Sequence, residues 1–421
     1  MQIWYVSLFE PLPIDGENVR KMRSGWICDA LMRENNVELW IPGFDHLNHN
    51  HYKKESVDEK LKSGLNIQYL KGIGYKKDTS FKRLFHNKYI AKEFKKIANQ
   101  RTLMPDLIIT QIPCLELAEE VIKFAEKNKI PSIVDIRDLW PDIYKKILPR
   151  KIKWIYKFLF FREINRLKFI LQKSSEICAI SKSYLKWGEK YSKRSIETKN
   201  IFYIGYKKPE IINDKKIWES LLIEKNIPCE KKYIIFSGTF CESYDLSPIA
   251  KAAIILKDKG YEDFHFLIAG AGNLPKNILE ELKNSSEISL LGWLNKKELN
   301  CCLINSDAGL APYSKDALMS LPNKFFEYLA YGLPIISSLN SEMEVLINQR
   351  KLGFNYYSQS PESLASAIIE LNKNFKNKLS RNSILKEFED NFDGDKIYFE
   401  FAKFVKRTFN TNSKSLFNNN L

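Results

Sequence analysis

Short apolar runs recur along the whole chain, each followed by a stretch of helical periodicity, and this alternation constrains the fold more than any other feature. In the first half, IWYVSLF, VELWI, LNIQYL, DLIITQ and PSIVDI read as buried or half-buried strands, separated by helices such as Arg20 to Arg33 and Leu115 to Lys129. In the second half, YIIFSG, FHFLIAG, ISLLG, AGLAPY and PIISS repeat the pattern. Strands joined through helices form parallel sheets with helices on their faces, so the predicted class is α/β. At 421 residues the chain exceeds one ordinary domain, and two Rossmann-like units are expected. The predicted division gives 1–207 to an N-terminal domain and 208–390 to a C-terminal one. A helix over 391–410 is expected to return to the first domain, and the Asn-rich stretch 411–421 to be a disordered tail.

Charge narrows the partners. Sixty-six basic residues against 51 acidic ones give +15, a field that attracts nucleic acid, anionic lipid or phosphate-bearing substrates. No RNA-recognition, KH or zinc-finger pattern accompanies it, which argues against nucleic acid. No apolar run approaches the roughly 20 residues that span a bilayer. The start, MQIWYVSLFEPLP, lacks the pattern of a secretion signal and reads as a first strand and its loop, so a cytoplasmic protein is expected. Seven scattered cysteines without a CxxC pair suit reduced thiols.

In open parallel sheets ligands bind beyond the carboxyl ends of the strands, where loops lead into helix N-termini. Three such ends stand out in the second half. YIIFSGTFCESYDL ends a strand at Gly238 and Thr239, whose backbone suits close approach by a phosphate. FLIAGAGN carries Gly270 and Gly272, but Pro275 stands where a dinucleotide fingerprint needs its third glycine, which excludes a nicotinamide site. In SLPNKFFEYLAYGLPIISS, Pro322 opens a helix whose apolar face is core. Asn323 and Lys324 lie at its positive end and Glu327 one turn in, an arrangement that suits a nucleotide: carboxylate to ribose, cation and amides to diphosphate. A surface glutamate paired with a lysine is the alternative.

SLPNKFFEYLAYGLPIISS, with SDAGLAPY and LLGWLNKKEL before it, resembles the donor-nucleotide half of glycosyltransferase family 4, which has the GT-B fold. The Pro11 to Gly16 loop, RKMRSGWICDALMRENNVELWIPGFDH, PDLIITQIP and VDIRDLWPD are similar to bacterial members that build capsule, O-antigen or related surface glycans. The resemblance implies two Rossmann-like domains facing a cleft. It also implies transfer of a sugar, with retention, from a nucleotide-diphosphate sugar co-substrate to a glycan or lipid-linked saccharide, with no metal or other cofactor. It places Glu327 on the ribose and assigns Lys324, with the Gly238 and Thr239 amides, to the diphosphate; Glu344 falls near a second recurrent acidic position. Met319 departs from the pattern, since many members carry a glutamate there that contacts the donor sugar. Asp316, or the loop at Ser320 and Leu321, is the expected substitute. The usual Arg and Lys after the first strand of the second domain are also missing from SGTFCESYDLSPIAK.

On the acceptor side, Gly16, Arg20, His46 and Asp135 are candidates, with Arg137 and Asp138 as the catalytic pair. Asp138 would accept the acceptor's proton, unless the departing phosphate oxygen does so or Asp138 and Arg137 simply pair or cap a helix. His46, His49 and His51 read as a polar loop rather than a zinc site. The stretch Pro149 to Lys173 reads as one amphipathic helix that mixes aromatics with Lys and Arg, suiting either an anionic membrane surface or the first domain's core. A nucleotide-sugar epimerase and a catalytically silent binding subunit are the alternative functions.

Overall fold

The computed structural model of the protein describes residues 1–10, 21–46, 48–77, 80–210, 214–374 and 380–418. The chain divides into two compact units, Met1–Tyr203 together with the chain from Asp395 onward, and Ile204–Gly394. Arg23 holds the end of the first unit in place by donating to the carbonyls of Phe202 and Tyr203.

The first unit contains β1 (Gln2–Val6), α1 (Arg23–Met32), β2 (Asn36–Pro42), β3 (Phe44–Asp45), β4 (Asn50–His51), β5 (Val57–Lys60) and β6 (Asn66–Leu70). It continues with α2 (Phe81–Gln100), β7 (Leu107–Ile112), α3 (Leu115–Lys127), β8 (Ser132–Ile136), α4 (Ile143–Ile147), α5 (Tyr156–Leu159), α6 (Phe161–Lys173), β9 (Glu176–Ala179) and α7 (Lys182–Ser192). Its main sheet runs β5-β6-β2-β1-β7-β8-β9, parallel except for β5. Side chains on β1 alternate faces as a strand requires. Ile3 and Tyr5 join a core with α1, while Trp4 and Val6 pack with Phe94 of α2 and Val121 of α3.

In the second unit follow α8 (Lys215–Glu224), β10 (Lys232–Ser237), α9 (Pro248–Asp258), β11 (Phe264–Ala269), α10 (Lys276–Lys283), β12 (Ile288–Gly292) and α11 (Lys296–Ile304). After them come β13 (Ala308–Ala311), α12 (Asn323–Ala330), β14 (Ile335–Ser337), α13 (Glu342–Arg350), β15 (Gly353–Asn355), α14 (Pro361–Asn374) and α15 (Arg381–Asn391). The sheet is all parallel, in the order β12-β11-β10-β13-β14-β15. Both main sheets reverse strand order beside their first strand, between β1 and β7 and between β10 and β13. Such a switch point opens a crevice at the carboxyl ends of the strands.

A last helix, α16 (Gly394–Asn418), belongs from Asp395 on to the first unit, where Tyr398, Phe401, Phe404 and Val405 are buried beside Ile3 and Phe202. The sequence predicts a disordered tail over 411–421, and α16 is described as far as Asn418. Pro149 to Lys173 is not one helix. It breaks into a 3₁₀ stretch at Arg150–Ile155, the single turn of α5, and α6. The backbone resets at Phe160, whose ring stacks on Tyr144 and Tyr156, so ring packing overrides helical periodicity here. No described helix is long and apolar enough to cross a membrane.

Candidate functional site

At the switch point of the second unit, β10 ends at Ser237 and the loop after β13 delivers α12. Phe325, Phe326, Tyr328, Leu329 and Ala330 bury the helix, and Phe325 and Phe326 set their rings 5.1 and 5.8 Å from Phe392. That anchoring fixes what the first turn presents. Lys324 is only 6% exposed, an unusual place for an ammonium without an anion. Its Nζ lies 4.6 Å from the ring centre of Phe236, 5.2 Å from Tyr244 and 6.0 Å from Tyr328. Among the described residues no hydrogen bond or ion pair reaches it. Ring faces attract a cation but do not replace its water, and burial lowers its pKa to about 8 despite the opposing influence of Glu327 and Cys241.

Gly238 makes room for that ammonium. A Cβ there would stand 2.7 Å from Lys324 Nζ. The amide of Gly238 donates to the Ala269 carbonyl at 2.9 Å, so this residue contributes space and not the phosphate-facing N–H expected of it. Thr239 is exposed, and no hydrogen bond from its amide is found among the described residues. Glu327, half-buried one turn along α12, accepts at Oε1 from the Tyr206 hydroxyl at 3.1 Å. Tyr206 is 121 residues away in sequence, and no motif announces it.

The remaining donor-side candidates divide. Pro322 caps α12 and Asn323 is exposed beside it. Asp316 is exposed in the preceding loop, and Met319 is half-buried. Ser320 is spent on anchoring: its carbonyl accepts from Ser341 Oγ at 2.7 Å and its Oγ donates to Glu342 at 3.3 Å, while Leu321 is buried. Glu344 lies half-buried in the first turn of α13.

In the first unit a polar network joins the ends of β1, β7 and β8. Gln111 Nε2 donates to Ser7 Oγ at 2.6 Å, and Arg137 donates to Ser24 Oγ at 3.1 Å and to Gln111 Oε1. Asp138 accepts from the Leu139 amide at 2.7 Å. Burial raises its pKa, against the Leu139 and Trp140 hydrogen bonds and the nearby Arg83 guanidinium, which sequence reasoning did not single out. A carboxyl held toward neutrality suits proton exchange with a bound hydroxyl. Glu10 was also missed: it is 2% exposed, accepts from the Met22 amide at 2.7 Å at the start of α1, and burial pushes it up to about 7.

Asp135 does not face a ligand. Both its oxygens accept from Arg23, at 2.8 and 3.1 Å, in a fully buried pair that ties β8 to α1. Asp142 is equally occupied, accepting from Tyr156 and Tyr191 hydroxyls and from Trp187 Nε1. His46 packs on Phe9, while His49 and His51 pack on Phe44. Among the described residues no group of three or more His, Cys, Asp or Glu gathers in a way that could hold a metal ion. Gly16 and Arg20 lie outside the described residues.

Residues 231–374 match the family model Glycosyl transferases group 1, and this segment contains Gly238, Lys324 and Glu327. No curated protein matches the chain by sequence. Among solved structures, sucrose-phosphate synthase from Thermosynechococcus elongatus aligns at a TM-score of 0.68 with 11% identity, covering 97% of this chain and 99% of its own. The E. coli trehalose-6-phosphate protein bound with UDP-2-fluoro glucose aligns at 0.66 with 12% identity, over 96% of this chain and 99% of its own. Anabaena HepE in complex with UDP-glucose aligns at 0.60 with 10% identity, over 97% of this chain and 100% of its own. The fold of this chain is therefore GT-B, and its second unit is similar to a group 1 glycosyltransferase domain.

Proposed function

We propose that the protein is a retaining glycosyltransferase that moves a sugar from a nucleotide-diphosphate sugar to a glycan or lipid-linked saccharide, in the assembly of a surface polysaccharide and without a metal. One observation carries the reading: the segment similar to group 1 glycosyltransferases brings Lys324, Gly238 and Glu327 together at the switch point of its sheet. Charge developing on the departing diphosphate is the main thing such a reaction must stabilise, and an ammonium already stripped of water does so without reorganising. Lys324 fills that role. Glu327, steadied by Tyr206, accepts hydrogen bonds from the ribose hydroxyls. The first unit takes the acceptor at the ends of β1, β7 and β8, where Asp138 receives the attacking hydroxyl's proton and Arg137 orients the site.

The structures of relatives holding UDP-2-fluoro glucose and UDP-glucose make UDP-sugars the first donors to test. The full chain, incubated with UDP-glucose and other nucleotide sugars plus extracted lipid-linked acceptors, is expected to release UDP or another nucleoside diphosphate only when acceptor is present. Asp138→Asn should lower kcat by about 100-fold or more with donor affinity unchanged. Epimerised donor without release would mean an isomerase. Binding without any turnover would mean a silent subunit, which the half-buried Met319 in place of a sugar-contacting glutamate would then explain.

A further inference from the structure

We infer that the first unit docks on an anionic phospholipid surface through a face built from the first turns of α2 and the 150–161 segment. Large apolar side chains normally avoid water, yet here they cluster outward. Trp154 is 81% exposed, Phe158 85% and Phe81 82%, with Phe85 and Phe161 also exposed. The two stretches, about 70 residues apart in sequence, are linked through a chain of ring contacts. The Arg83 guanidinium of α2 lies 5.7 Å from the Trp140 ring centre, Trp140 is 5.1 Å from Tyr144, and Tyr144 stacks at 5.0 Å on Phe160. These contacts make the two stretches neighbours within the same unit.

Charge selects the occupant. Between Asp142 and Glu163 the chain carries seven Lys or Arg residues and no acid, and Lys82 and Lys88 add to them on α2. Lys151, Lys157 and Arg162 are exposed beside the outward aromatics. Aromatic rings that enter the headgroup layer, ringed by cations that meet lipid phosphates, form the chemistry of an interfacial anchor. A protein partner of the same apolar character would not call for this one-signed charge. The inference stands apart from the transferase reading, because vesicle binding is measured without donor or acceptor.

The test sediments the full chain with vesicles of phosphatidylcholine alone and with vesicles containing a third phosphatidylglycerol. Binding is expected only to the anionic vesicles, and to weaken as salt shortens the range of the attraction. Trp154→Ser combined with Phe158→Ser, and separately Lys151→Glu combined with Lys157→Glu, should each reduce partitioning at least about tenfold. All four side chains are in contact with solvent, and unchanged near-UV circular dichroism verifies folding. Binding that ignores lipid charge, no binding at all, or variants that bind like wild type would overturn the inference. So would concentration-dependent dimerisation that the Trp154 and Phe158 changes abolish while vesicle binding is absent.

Discussion

Lys324 retains its charge in a place that resists charge. Burial brings the folded pKa to about 8, whereas the unfolded chain leaves it near the ordinary 10.5. Between those values the unfolded state binds more protons, so the contribution of this group to stability rises with pH from about 8 to 10.5. Below pH 8 the full penalty is present, about 3 kcal/mol. Lys324→Met should therefore raise the melting temperature of the second unit by a few degrees at pH 7 in calorimetry, while UDP affinity falls at least about tenfold. Wild-type affinity for UDP should decline between pH 7 and pH 9.5 as the ammonium deprotonates, and the variant should show a flat profile. Loss of stability together with loss of binding would mean that Lys324 is only a packing residue. Sequence revealed the type of this residue but not its burial, since two of the three rings around it, Phe236 of β10 and Tyr244 of the loop that follows, come from far along the chain. Asp135 eludes the sequence for a related reason: it stands two residues before Arg137, but its strand turns the side chain inward onto Arg23.

Within the elements, α12 was legible because Pro322, the apolar spacing and Gly332 punctuate it, and Asn323–Ala330 is where the helix lies. The Pro149 to Lys173 stretch was not, because stacking among Tyr144, Tyr156 and Phe160 decides where the backbone resets. The glycines at the strand ends separate site from scaffold. At Gly238, where φ is +159°, a methyl group would meet only the movable end of Lys324, so Gly238→Ala should lower the melting temperature modestly through backbone strain and weaken UDP binding by displacing the ammonium. At Gly270 a Cβ would lie 1.9 Å from the Gly238 carbonyl, at a φ of +147°. Gly270→Ala should therefore lower thermal stability clearly, because backbone must move. Thermal melts and UDP titrations of the two variants test this contrast; equal effects of both on stability would refute it.

At the scale of the whole molecule, alternating strands and helices announced two parallel-sheet units, and the sheets found have that form. Strand order and switch points are not written in any local pattern, because they depend on which distant strands pair. In the second unit α12, with Lys324 and Glu327 on it, was legible in the sequence, since one short helix carries both the cation and the carboxylate. Partners such as Tyr206 and Arg83 became visible only when the chain was folded. The central claim is that the second unit binds a nucleoside diphosphate through α12, and calorimetric titration of the full chain with UDP tests it most directly. Hydrogen bonds to a charged group contribute about 1.5–3 kcal/mol, so Glu327→Gln should weaken UDP binding by about tenfold to 100-fold with the fold intact. Equal affinity of wild type and Glu327→Gln, or no binding of UDP or any other nucleoside diphosphate by the wild type, would contradict the account.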